Sequence, residues 1–134
     1  MGRYAMKTEY IDVDGYWGVV VCYDLHRLNE YDINSRLMSF GMRGEDLEHA
    51  IEVLLYQKNT GLCISRDDIR MSLIFIGNAT GGDQWWDTTA HELLYHAANA
   101  IWDYYDVPYG SEDAAWTVGY LMRRFVQLIG EPCL

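Results

Sequence analysis

The run from Gln84 to Asp106 is the longest stretch of this chain compatible with a single helix, and the remaining elements must pack against it. On a wheel of about 100° per residue, Ala90, Leu94, Ala97, Ile101 and Tyr104 share one face, which predicts the core stripe. Glu92, His96, Asn99 and Asp103 form a polar stripe opposite, with His91 on the flank above Tyr95 and Trp102. In a straight helix His91 and His96 diverge by about 140°, too far to share one tetrahedral ion, and Tyr95 stands where a second ligand belongs. A π-bulge would bring positions i and i+5 into line. Two readings follow: a solvated face with a satisfied flank histidine, or a metal pair on a bulged helix.

The rest of the chain supplies strands and helices in a readable order. Tyr16 to Tyr23 is β-branched and aromatic, follows the turn signal Asp14-Gly15, and predicts a buried strand. Asp12-Val13-Asp14-Gly15 echoes a calcium loop but lacks the later ligands and the closing glutamate. Asn29 can cap a helix that aligns Ile33, Leu37 and Phe40. Leu47, Ala50, Ile51, Leu54 and Leu55 give the amphipathic stripe of a second helix from about Gly44 to Gln57, ended by Asn59-Thr60-Gly61. Leu62 to Arg66 reads as a short strand and Ile69 to Gly77 as a stronger one, expected to pack against the helix that bears His91. Trp85-Trp86 reads as core or as a hydrophobic staple.

After the break at Val107-Pro108-Tyr109-Gly110, Ser111 is an N-cap, with Glu112 and Asp113 in the first turn where the helix dipole favours acids. The final helix is expected to bury Ala115, Val118, Gly119, Met122, Phe125 and Ile129. Glu112 shares the face of Ala115, Gly119 and Met122, which aims it inward, where a carboxylate needs a partner. It is either a third metal ligand or an acid that only complements the dipole. The expected fold is one α+β domain over residues 1–134. It has a small mixed or antiparallel sheet of about three strands packed against four helices.

Charge excludes some partners. Twenty acidic against ten basic residues leave a net charge of −10, which a nucleic-acid backbone repels. From Met71 to Met122 there is no Lys or Arg but there are seven carboxylates, so any site in that half sits in a negative field. No apolar run reaches the length of a membrane span, and the polar start lacks an export pattern. Cys22, Cys63 and Cys133 are dispersed, with no C-x-x-C spacing; reduced thiols in a cytoplasm are expected.

The stretch from about Met71 to Phe125 resembles small zincin-like proteins common in bacteriophage and prophage genomes. These have a strand, then a helix with a His-Glu signature, then an acidic helix start, to which Ser111 through Leu121 is similar. The resemblance implies zinc, with His91 as a ligand, Glu92 as the general base and Glu112 as the third ligand. His96 becomes the second ligand only by displacement, because the spacing is H-E-x-x-x-H rather than H-E-x-x-H. The implied activity is zinc-dependent hydrolysis, most naturally of peptides, in a bacterial host cell. The alternatives are a zincin-like fold that has lost its chemistry and serves a structural or binding role, or an acidic protein that docks on a basic host protein.

Overall fold

Residues 6–57, 60–78 and 81–130 are described by a computed structural model. At its centre lie two parallel strands, β2 (Trp17–Tyr23) and β4 (Met71–Ile76), paired from Gly18 with Met71 to Cys22 with Phe75. Both are hydrophobic runs buried along nearly their whole length, as strands covered on both faces must be. β1 (Lys7–Val13) runs antiparallel outside β2 and β3 (Gly61–Arg66) antiparallel outside β4, giving the order β1-β2-β4-β3. The domain is therefore α+β with a mixed sheet, as expected, but with four strands rather than about three.

The additional strand is β1. Only its second half alternates, with Ile11 and Val13 buried between exposed Tyr10 and Asp12. The turn after it is the stretch that echoes a calcium loop. Asp14 and Gly15 both take positive φ, as hairpin turns of this type require, and the Gly15 amide donates to Asp12 Oδ1 at 3.1 Å. These residues close a hairpin.

One face of the sheet carries α1 (Glu30–Ser39) and α2 (Gly44–Tyr56), which bury Ile33, Leu37, Ala50 and Leu54 over Leu73 and Phe75. Asn29 precedes α1, but its side chain turns back to accept from the His26 amide at 2.9 Å and does not cap the helix. On the other face, Val19, Val21, Ile74 and Ile76 meet the long helix and α5 (Glu112–Ile129). The long helix has three parts: α3 (Gly82–Thr89), a π-helical segment (Ala90–Ala97) and α4 (Ala98–Tyr105), with helical backbone at both junctions. The strand preceding it does pack against the segment that bears His91.

Ser111 caps α5, its Oγ accepting from the Ala114 amide at 3.1 Å. The buried stripe of α5 is Ala114, Thr117, Leu121 and Phe125. That is one residue out of phase with the expected stripe: Phe125 is retained, while Ala115 and Gly119 are exposed. Phe125 stacks on Trp85 at 5.9 Å between centroids, with Trp86 edge-on to both, so the tryptophan pair is core. Cys22 and Cys63 are free thiols, and Cys133 lies outside the described residues. Among the described residues, no helix is long and apolar enough to cross a membrane.

Candidate metal centre

The burial pattern of the long helix records its extra residue. Thr88 and Thr89 are buried, then Glu92 and Leu93 four residues on. The next buried pair, Ala97 and Ala98, comes five residues later, and Ile101 follows at ordinary spacing. An α-helix would carry a five-residue step off the core face; a π turn, with its i→i+5 hydrogen bonds, keeps the face. The extra residue is absorbed where the two histidines lie. A wheel at constant pitch therefore assigns this helix wrongly: Ala90 and Tyr104 are exposed, and Glu92, expected on the solvated stripe, is buried.

The same π turn pairs the histidines. Nε2 of His91 and Nε2 of His96 are 3.1 Å apart, within hydrogen-bond reach. The rings stand at 87° to each other, and Tyr95, exposed between them in sequence, stacks against His91 at 6.0 Å. Two nitrogens at zinc-ligand distance from one ion, at a tetrahedral angle, lie about 3.3 Å apart. The observed separation is close to that. Glu92 completes the group: each of the three residues offers a ligand atom within 4.8 Å of the others.

Glu92 is 5 % exposed and makes no hydrogen bond or ion pair to any described residue. Burial raises its carboxyl above the ordinary range, against a smaller lowering by the neighbouring charge of His91. His96 is pushed the other way: partial desolvation, then the charge of His91, hold its imidazole below the usual value and favour the neutral form. That is the form a metal requires. Cys63 is not a member of the group; burial, opposed by a contact with Ser65 and reinforced by the charge of Glu92, pushes its thiol up to about 12.

A cradle on the sheet makes room for the carboxylate. A Cβ added to Gly61, the first residue of β3, would lie 2.8 Å from Glu92 Cγ, 2.8 Å from Thr88 Cγ2 and 3.0 Å from Glu92 Oε2. Gly61 also lines, with Thr60, Asp87, Thr88, His91 and Glu92, a cavity of about 360 Å³ that opens onto the cluster. A larger recess of about 680 Å³ lies between α2 and β3, but its Asp46 and His49 belong to no such group among the described residues. Overpacking at Gly61 should cost about 1–3 kcal/mol. Gly61→Ala is therefore expected to melt below the parent protein and to bind zinc more weakly, measured by thermal melts with and without the ion.

Of the four residues expected at the site, His91, Glu92 and His96 are brought together. Glu112 is not a member of the group; it is exposed in the first turn of α5, since the inward face begins at Ala114. Gly61, Thr88 and Asp87 were not among the expected site residues. Asp87 carried a usable signal, standing one turn before His91 on the same helix; Gly61, in the sequence, is indistinguishable from a helix stop. The cluster of two imidazoles and a carboxylate could hold a metal ion. No protein-family model, no curated protein and no solved structure matches the chain, so the reading of this centre rests on its own geometry.

Proposed function

We propose that the chain is a zinc-dependent hydrolase, in keeping with its resemblance to small phage zincin-like proteins. The observation that carries this reading is the π turn that sets His91 and His96 Nε2 at 3.1 Å beside the buried Glu92. His91 and His96 would hold the ion, and zinc, when bound, would supply Lewis acidity toward water. Glu92 would take the proton, and burial raises its carboxyl above the ordinary range, the direction a general base needs. Gly61, having no side chain, leaves room for the Glu92 side chain beside Thr88, and the cavity that Asp87, His91 and Glu92 line would admit the substrate. A peptide is the most natural substrate. The free thiols Cys22 and Cys63 support a reducing cell interior as its place of action.

Glu92→Gln tests the assignment, because it keeps the shape and removes the base. Zinc affinity should stay within a few-fold of the parent while hydrolysis of an unstructured protein substrate is lost, by a factor of about 10²–10⁴. Strong loss of zinc in this variant would make Glu92 a ligand instead of a base, and the centre a binding site without hydrolysis.

A further inference from the structure

A second cavity, of about 260 Å³, lies at the other end of the long helix, between α5 and the β1–β2 hairpin. Its walls include Tyr16, Tyr105 and Trp116, and its one charged lining residue is Asp113. Tyr16 and Tyr105 meet edge to face, 5.8 Å between centroids at 72°, so that they form a corner. The corner is fixed by a hydrogen bond that the Tyr105 hydroxyl donates to the Tyr16 carbonyl. Trp116 is 49 % exposed and stacks on Tyr120, which is itself anchored by a hydrogen bond from its hydroxyl to the Asp12 carbonyl at 2.8 Å.

Such a pocket has the chemistry of a cation site. Aromatic faces attract a cation within about 6 Å of the ring centre, and the attraction grows where water is displaced. Asp113 has no ion-pair partner among the described residues. Glu112 and Asp113 together outweigh the roughly half positive charge that the N-terminus of α5 presents. The surrounding stretch from Met71 to Met122 has no basic residue of its own, and the chain as a whole carries −10. Arg123, just beyond it, is already engaged over the Tyr120 ring at 5.6 Å.

We propose that this pocket receives an arginine side chain from a basic segment of a partner protein. A guanidinium is flat, stacks on aromatic faces and pairs with a carboxylate through two parallel hydrogen bonds, which suits a corner of rings with one aspartate at its edge. This site is independent of the metal centre: the two share no residue, and either can exist without the other.

The test uses a blocked, flexible peptide with three arginines spaced by glycine and serine, titrated into the whole protein and followed by tryptophan fluorescence. The same peptide with citrulline in place of arginine keeps the shape and removes the charge. Saturable binding is expected for arginine and at least about tenfold weaker binding for citrulline. Trp116→Ala and Asp113→Asn should each weaken the arginine peptide by about tenfold, with His96→Ala leaving it unchanged. Tyr16→Leu provides a second aromatic test should Trp116→Ala fold poorly. The proposal is overturned if citrulline binds as well as arginine, if the pocket variants bind like the parent, or if nothing binds at millimolar peptide. Tetramethylammonium competing as tightly as the peptide would also overturn it, since the pocket would then serve a small free cation.

Discussion

At a zinc concentration about a hundredfold above the dissociation constant, the parent protein should be stabilised by about 2.7 kcal/mol relative to the same protein in chelator. His96→Ala should lose that whole difference. The reason is geometric: with one imidazole left, no described residue other than Glu92 stands close enough to replace the missing nitrogen. In chelator the two proteins should melt together, because His96 is exposed and surface substitutions of this kind stay within about 0.5 kcal/mol. Thermal melts of the two proteins, each with zinc and with chelator, separate the metal-linked part of the stability from the rest. A His96→Ala variant that kept the zinc shift would show that the ion binds elsewhere.

The second large effect has the opposite sign and belongs to the metal-free protein. Burial disfavours the charged form of Glu92 in the fold and raises its carboxyl above its unfolded value, against a smaller opposing effect of the charge of His91. A raised folded value means that the native state holds more protons than the unfolded chain as the carboxyl titrates. Stability is then greatest below the unfolded carboxyl range and declines as pH rises through the folded one. Glu92→Gln lacks that decline. In chelator its stability relative to the parent should therefore rise as pH passes upward through the raised carboxyl range. Below pH of about 4 the two should converge. Denaturant melts across this range check the prediction; a variant less stable than the parent at high pH would mean that the carboxylate has a partner in the fold. In zinc the parent's penalty shrinks, because the ion supplies the missing charge.

The fold was more legible in the sequence than the site. β2 and β4 carry runs that are apolar but for Gly18 and Ser72, and α2 carries a regular apolar stripe, so composition and period located them to within a few residues. β1 was hidden because Lys7, Thr8 and Glu9 give its first half no apolar face, although Asp14-Gly15 marked the end of a hairpin. In the long helix, period fails for a different reason. Any reading at constant pitch assumes that each residue turns the chain equally, and one π turn breaks the assumption for every residue after it. The sequence does carry a trace of this: removing Tyr95 would leave His91-Glu92-Leu-Leu-His, the uninterrupted H-E-x-x-H spacing. Tyr95 stands exposed as the residue by which the helix is one too long.

Glu112 shows a limit of another kind. Its expected inward direction came from a stripe assigned through Ala115 and Gly119, two small residues that suit a helix contact and suit solvent equally well. The true inward face of α5 includes Thr117, which looks polar in a sequence but satisfies its hydroxyl on the Asp113 carbonyl at 3.1 Å and so can be buried. Gly61 is illegible for a simpler reason. Its role comes from Glu92 and Thr88, which lie far along the chain and reach it only when β3 packs on the π segment.

The central claim is that a π turn converts His91 and His96 into co-ligands of one ion. Calorimetric titration of zinc into protein purified without a metal-affinity step, with His91→Ala and His96→Ala run alongside, measures that directly. One ion per chain is expected, with micromolar or tighter affinity, and each single variant should lose it. The account is contradicted by an absence of saturable binding, or by an ion that both variants still hold.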